Sequence, residues 1–250
     1  MTKKQKSSEL TVFLPERKDT SGISVIICPG GSYYWLDMDN EGYAVAKRLN
    51  ESGITAFVLR YRTAKKDNCH PAMIQDLQRA MQLIRENWNT YGIDSAKVGV
   101  MGFSAGGHLA GMAAAYFDTN FMETLHIHPD VSLKPYFVAM IYPVVSMSDS
   151  IAHKKSRKNL LSGNYTPQLQ NQLSLEQNAR SDMPPVFLLH CVKDRTVDYR
   201  NSLYLQQALR EKGVKHQFFL FEQPGHGFGI KPKDKATNWI NEFINWLKTI

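Results

Sequence analysis

Short apolar runs alternate with amphipathic stretches along the chain. The apolar runs predict buried strands at Ile23–Cys28, Ile54–Arg62, Lys97–Gly102, Phe137–Val144, Val186–Val192 and His216–Glu222. Between them, apolar residues recur at helical spacing in Tyr43–Ser52, Pro71–Trp88, Ala105–Ala115, Asn201–Gly213 and Ala236–Ile250. Strands joined by helices can pair in parallel, with the helices packed on the faces of the sheet. The sequence therefore predicts an α/β fold, with a mostly parallel central sheet and helices on both faces.

Length and composition limit the number of domains. The chain has 250 residues, of which 43% are hydrophobic and 21% charged. This composition is typical of a globular protein with a sizeable core, and we expect a single domain over residues 1–250. The segment from about residue 146 to 185 is more polar and less periodic. We interpret it as a small insertion over the carboxyl edge of the sheet.

One turn between a predicted strand and a predicted helix carries a reactive group. In the segment VGVMGFSAGGHLAG, Ser104 lies between Gly102 and Gly106. A tight turn of this kind lifts the central hydroxyl clear of the chain, and side chains at the two glycine positions would clash. The turn also places the hydroxyl at the amino end of a helix, where partial positive charge stabilises an oxyanion. Ser104 is therefore a candidate nucleophile.

A serine nucleophile needs a histidine as general base and an acid that orients the histidine. His226 lies in the glycine-rich segment QPGHGFG, after the last predicted strand, where a loop can reach Ser104. Asp194 directly follows a predicted strand end and is the favoured acid. Asp198 is the alternative, although it is closer to the next helix and suits a helix cap. His190 lies inside an apolar strand, and we interpret it as a core residue.

Acyl transfer also requires hydrogen-bond donors for the oxyanion. The backbone N–H of Ala105, directly after the candidate nucleophile, is one such donor. The segment CPGGSYYW follows the first predicted strand, and its glycines allow the N–H groups of Gly31 and Ser32 to turn inward. The same segment contains aromatic residues that either stack on a sugar substrate or pack the loop: Tyr33, Tyr34 and Trp35.

Charge and cysteine content argue against several classes of protein. The net charge is +7, but the basic residues form small clusters without the interleaved aromatics of single-strand binders: Lys3–Lys6, Lys65–Lys66, His153–Lys158 and Lys231–Lys235. We therefore expect no nucleic-acid partner. The three cysteines have no paired spacing, which argues against a disulfide framework. No cluster of histidine, cysteine or carboxylate has ligand spacing, so we expect no metal and no organic cofactor.

The N-terminal residues and the apolar runs bear on localisation. MTKKQKSSEL is basic but lacks the apolar core of a signal peptide. No segment approaches the length of a membrane span, so we expect no membrane partner. The expected location is the cytoplasm, or outside it if a signal peptide has been removed and replaced by a methionine. The sequence leaves open whether the chain forms a homo-oligomer.

Several segments together carry a family resemblance, among them PGGSYYW, GITAFVLRYR, VGVMGFSAGGHLA, PPVFLLHCVKDRTV and PGHGFG. The chain resembles the α/β-hydrolase superfamily of serine esterases and lipases. More narrowly, it resembles small bacterial esterases of the acetyl xylan esterase-like type, which are related to hormone-sensitive lipase. The resemblance implies Ser104 as nucleophile, Asp194 as acid and His226 as base. Two residues depart from the family pattern: Ser32 replaces a third glycine, and Asp198 replaces a proline.

These observations predict a serine carboxylesterase that hydrolyses short-chain esters, above all acetyl esters. We expect a carbohydrate ester such as acetylated xylan fragments, because the segment 148–172 is too polar to form the apolar lid of a lipase. Two alternatives remain. One is a serine peptidase of the same fold, and the other is a non-catalytic binding protein built on a hydrolase fold.

Overall fold

The computed structural model describes residues 7–17, 19–230 and 238–250. The strands are β1 (Glu9–Phe13), β2 (Ser24–Cys28), β3 (Thr55–Arg60), β4 (Val98–Phe103), β5 (Val138–Ile141), β6 (Val186–Cys191) and β7 (His216–Phe221). Across the described residues they form one sheet with the order β1-β3-β2-β4-β5-β6-β7. β1 runs antiparallel to β3, and all other neighbouring pairs are parallel.

Helices connect the parallel strands. They are α1 (Ala44–Asn50), α2 (Ala72–Glu86), α3 (Trp88–Tyr91), α4 (Ala105–Ala115), α5 (Lys154–Leu161), α6 (Pro167–Gln172), α7 (Arg200–Glu211) and α8 (Trp239–Leu247). A π-helical turn at Asp39–Tyr43 precedes α1. Short 3₁₀ turns lie at Ala64–Lys66, Phe121–Leu125 and Leu175–Gln177.

The sheet separates two apolar cores. Because successive side chains of a strand point to opposite faces, alternate residues of β2 belong to different cores. Ile26 and Cys28 pack with residues of α2, α4 and α7. Val25 and Ile27 pack with residues of α1 and α8. The prediction of a mostly parallel sheet covered on both faces is therefore confirmed.

The strands and helices predicted from the sequence are present, with ends that differ by a few residues. The strand β1 was not predicted. Its side chains are mostly exposed and only one neighbouring strand pairs with it, so it shows no continuous apolar run. Three groups of residues with predicted features lie outside the described part of the chain: Lys3–Lys6, Lys231–Lys235, and Ala236 with Thr237 at the start of the last predicted helix.

The polar segment between β5 and β6 contains α5 and α6. Its residue Asn159 donates a hydrogen bond from Nδ2 to the carbonyl oxygen of Ser32, at 2.7 Å. The N–H of Leu175 donates to the carbonyl oxygen of Val145, just beyond β5, at 3.1 Å. Both contacts lie beyond the carboxyl ends of strands. The division into one domain with this insertion stays a prediction. Among the helices that the structure describes, none is long and apolar enough to cross a bilayer.

Candidate active site

Ser104 occupies the turn between β4 and α4. Its backbone has φ 52° and ψ −116°, a combination that residues with a side chain rarely adopt. A Cβ atom at Gly102 would lie 1.9 Å from the carbonyl oxygen of Gly106, and one at Gly106 would lie 2.1 Å from that of Cys28. Both positions therefore require glycine, which gives a physical reason for the spacing seen in the sequence.

The structure brings Ser104, His226 and Asp194 together. Nε2 of His226 lies 2.9 Å from Oγ of Ser104, and Nδ1 lies 2.6 Å from Oδ2 of Asp194. Because an ionised carboxylate only accepts hydrogen bonds, Nδ1 carries the proton and Nε2 is free to accept from the serine hydroxyl. This arrangement can move a proton from Oγ to the imidazole, next to a carboxylate that stabilises the resulting cation.

Asp194 is buried and fixed by several donors. Its Oδ1 accepts N–H hydrogen bonds from Thr196 at 2.8 Å and from Val197 at 2.9 Å. Its Oδ2 also lies 3.3 Å from Nε2 of His190. Burial raises the pKa of the Asp194 carboxyl, but the hydrogen bonds from His190 and His226 outweigh it and hold that pKa well below the usual range. Asp194 is therefore an anion at neutral pH.

Asp198, the alternative acid, is engaged elsewhere. Its carboxylate accepts hydrogen bonds from Nε of Arg200 at 2.9 and 3.0 Å and from the backbone N–H of Arg200 at 2.9 Å. Arg200 is the first residue of α7. Asp198 therefore binds Arg200 at the start of this helix, whose N-cap is Tyr199, while Asp194 is the carboxylate in contact with His226.

The loop after β2 presents backbone donors beside Ser104. Gly31 has φ 134°, and a Cβ atom there would lie 2.0 Å from the carbonyl oxygen of Trp35. Ser32 adopts φ 57°, so a serine occupies the left-handed region where the resemblance expected glycine. Within the described part of the chain, the N–H groups of Gly31, Ser32 and Ala105 donate to no other residue. These three N–H groups therefore have no partner among the described residues, as donors of an oxyanion site require.

The three aromatic residues of this loop have different environments. Tyr33 is fully buried, so its ring packs in the core and cannot stack on a sugar; this corrects its prediction as a substrate-binding residue. Its hydroxyl lies 2.8 Å from Nδ1 of His108, whose Nε2 donates to the carbonyl oxygen of Leu173 at 2.7 Å. Tyr34 and Trp35 are 43% and 49% exposed. They stay candidates for substrate contact.

Sequence reasoning missed two buried groups near the site, Glu41 and Tyr142. Oε1 of Glu41 accepts a hydrogen bond from the Tyr142 hydroxyl at 2.8 Å. The ring centroid of Tyr142 lies 4.8 Å from that of His226. No local signal marks this pair, because its members are 101 positions apart in the sequence. Among the described residues, no group of three or more histidine, cysteine or carboxylate side chains could hold a metal ion.

The chain is similar in sequence and in fold to known esterases. Residues 10–209 match the BD-FAE family, which covers most of the chain. The chain belongs to the BD-FAE family. Its similarity to the crystal structure of an acetyl ester-xyloside bifunctional hydrolase from Caldicellulosiruptor lactoaceticus has a TM-score of 0.87 at 33% identity, over 97% of this chain and 88% of the other. The fold is the α/β-hydrolase fold that the sequence resemblance implied.

Two curated relatives carry related names. The chain is 32% identical to an acetylxylan esterase of Xylanibacter ruminicola over 248 residues, 97% of this chain and 48% of the relative. It is 31% identical to endo-1,4-beta-xylanase B of Butyrivibrio fibrisolvens over 217 residues, 86% of this chain and 34% of the relative. The chain thus spans about half of the first relative and a third of the second. The resemblance to bacterial acetyl xylan esterases is confirmed.

Proposed function

We propose that this protein is a serine carboxylesterase that removes short acyl groups, above all acetyl, from carbohydrate esters through a covalent acyl-enzyme. The observation that carries the proposal is the hydrogen-bonded line from Ser104 through His226 to Asp194. Membership of the BD-FAE family and the names of the two curated relatives support it.

The proposed reaction begins at Ser104. Its Oγ attacks the ester carbonyl while Nε2 of His226 takes the hydroxyl proton, and Asp194 stabilises the imidazolium. The N–H group of Ala105 and those of Gly31 and Ser32 stabilise the oxyanion. The bond to the alcohol then breaks, His226 returns its proton to that alcohol, and the acyl group stays on Oγ. Water, activated by the same histidine, releases the acid and restores the serine hydroxyl.

The surroundings of Asp194 favour a polar substrate. An open cavity of about 690 Å³ adjoins this residue. Charged and polar side chains of the insertion and of the loop after β6 form most of its wall: Asp149, His153, Lys154, Lys155, Arg195 and Asp198. Neither Ser104 nor His226 lines this cavity, so it supports the proposal only for the alcohol part of the substrate: a carbohydrate that extends past Asp194 can hydrogen-bond to such a wall.

Turnover of paired substrates tests this function. We expect the protein to hydrolyse p-nitrophenyl acetate and acetylated xylo-oligosaccharides, and Ser104→Ala to lose several orders of magnitude in kcat. The matched anilide, p-nitroacetanilide, should be cleaved far more slowly than the ester. Near-normal turnover by Ser104→Ala would contradict the assignment. Preference for amide bonds would favour the peptidase alternative, and the absence of any turnover would favour a binding protein.

A further inference from the structure

Glu41 is a buried carboxylate that receives hydrogen bonds from two directions. It lies in the π-helical turn Asp39–Tyr43 and is 3% exposed. Its Oε2 accepts from the backbone N–H of Gly30 at 2.8 Å, and its Oε1 accepts from the Tyr142 hydroxyl at 2.8 Å. Gly30 directly precedes the candidate oxyanion donors. One end of this carboxylate therefore holds the donor loop.

The other end reaches the loop that carries His226. The Tyr142 hydroxyl, which donates to Glu41, also accepts from the backbone N–H of Gly229 at 3.0 Å. The Tyr142 ring lies 4.8 Å from the imidazole of His226 and 4.7 Å from the ring of Phe228, measured between centroids. Glu41 is thus connected through one hydroxyl to residues on the carboxyl side of His226.

A second side chain of the same π-helical turn contacts this loop. Nδ2 of Asn40 donates to the carbonyl oxygen of Gly227 at 3.1 Å. The turn therefore touches the loop directly at Gly227 and through Tyr142 at Gly229. π-Helical turns are rare in proteins, and a large share of them lie at functional sites.

The carboxylate also lies close to the nucleophile turn. A Cβ atom at Gly30 would lie 2.6 Å from Oε2 of Glu41 and 2.9 Å from Cβ of Ser104. Gly30 is thus packed between the carboxylate and Ser104. A shift of Glu41 would be transmitted directly to the donor loop, because no free space separates them.

We propose that Glu41 is a positioning residue that sets the distance between the oxyanion-donor loop and the His226 loop during acyl transfer. This inference rests on the proposed function. Small displacements of catalytic groups cost rate even when the fold is intact, up to about 100-fold for about 1 Å. The effect should fall on the transition state, where the donor and base contacts are strongest.

The two hydrogen bonds that Glu41 accepts distinguish it from a side chain that only fills space. Burial raises the pKa of the Glu41 carboxyl, and the hydrogen bonds from Tyr142 and Gly30 oppose that rise. Its two acceptor oxygens match two donors, which a glutamine with one acceptor oxygen cannot reproduce.

The test compares Glu41→Gln with Asp39→Asn. Asp39 lies in the same π-helical turn, is exposed, and makes no side-chain hydrogen bond or ion pair with another described residue. We expect Glu41→Gln to lower kcat about 10- to 100-fold for p-nitrophenyl acetate with KM changed less than about threefold. Asp39→Asn should match the wild type. Affinity for a boronic acid, which forms a tetrahedral adduct with the serine, should weaken in parallel with kcat.

Tyr142→Phe is the second variant, because it removes the hydroxyl that donates to Glu41. If Glu41→Gln does not fold, the same loss of kcat is expected and measured in Tyr142→Phe. If both residues act through one network, the double variant should lose little more kcat than the worse single variant. Additive losses, an effect confined to KM, or a Glu41→Gln enzyme equal to the Asp39→Asn control would overturn the inference. Retained activity in Ser104→Ala would instead overturn the proposed function, so the two failures are distinguishable.

Discussion

Nε2 of His190 lies 3.3 Å from Oδ2 of Asp194, and both side chains are fully buried. His190 is itself fixed, because its Nδ1 lies 2.7 Å from Oγ of Ser202 in α7. The carboxylate that faces His226 is therefore held by a rigid core histidine as well as by backbone N–H groups. Asp194 is therefore anchored by contacts that do not involve the His226 loop.

The two aspartates of this loop should differ sharply when their charge is removed. Asp194→Asn should lower kcat by about 10⁴-fold, because the amide no longer enforces the tautomer with the proton on Nδ1 of His226. Asp198→Asn is the matched control and should change kcat by less than about threefold. Steady-state kinetics of both variants on p-nitrophenyl acetate measure the difference. The reverse ranking would transfer the role of acid to Asp198.

Buried His108 should make stability depend on pH. Burial lowers its pKa from 6.5 to about 4, and its two hydrogen bonds fit the neutral ring. A lowered histidine pKa means that this stabilisation is complete above pH 6.5 and is lost as the pH falls towards 4. In urea unfolding, the stability difference between wild type and His108→Gln should shrink by about 2 to 3 kcal/mol from pH 7 to pH 4.5.

His128→Gln is the control for that measurement. The side chain of His128 is 65% exposed and pairs with the equally exposed Glu123 at 3.2 Å, so water screens the pair and its replacement should change stability by less than about 1 kcal/mol at either pH. A stability difference between wild type and His108→Gln that stays constant with pH would show that His108 titrates normally in the folded protein.

The nucleophile turn could be predicted because its constraint is local. Gly102, Ser104 and Gly106 lie within five consecutive positions, and the clash that a side chain at Gly102 would make involves Gly106 of the same turn. The clash at Gly106 involves Cys28 of β2, the neighbouring strand. His226 and Asp194 follow strand ends, and parallel strands bring their carboxyl ends to one edge. The central sheet was predictable for a similar reason, since β2, β4 and β6 are buried on both faces and appear as continuous apolar runs.

Other features depend on contacts that local patterns do not encode. Tyr33 and Tyr34 are adjacent and identical in type, yet only Tyr33 is buried. The positive φ values of Ser32 and Tyr33 turn the backbone so that the Tyr33 side chain enters the core. A sequence does not indicate positive φ values at residues other than glycine. Glu41 was missed because its partner Tyr142 follows β5, 101 positions later in the sequence.

The exposed ring of Trp35 should matter only for large substrates. Trp35→Ala should raise KM for acetylated xylo-oligosaccharides several-fold, because the stacking surface is lost, while KM for p-nitrophenyl acetate changes little. Trp88→Ala is a matched control, since Trp88 is 42% exposed and begins α3, before the amino end of β4. Equal effects of the two substitutions on the oligosaccharide would contradict a role for Trp35 in binding.

Acyl chain length should separate an acetyl esterase from a lipase. A methylene group that enters an apolar pocket contributes about 0.8 kcal/mol, so a lipase shows kcat/KM rising from acetate to octanoate. We expect the opposite trend over p-nitrophenyl acetate, butyrate and octanoate, because the polar segment 148–172 offers few consecutive apolar residues to hold a long acyl chain. Rising kcat/KM with chain length, or activation on emulsified triglyceride, would contradict the proposed substrate class.

Trapping of the acyl-enzyme tests the central claim most directly. The protein is mixed with excess p-nitrophenyl acetate, quenched in acid within the first turnovers, digested and analysed by mass spectrometry. We predict an acetyl group on Ser104, an initial burst of nitrophenolate, and neither signal in Ser104→Ala. Acetylation of a different residue during productive turnover, or full turnover with Ser104 unmodified at every quench time and no burst, would contradict the account.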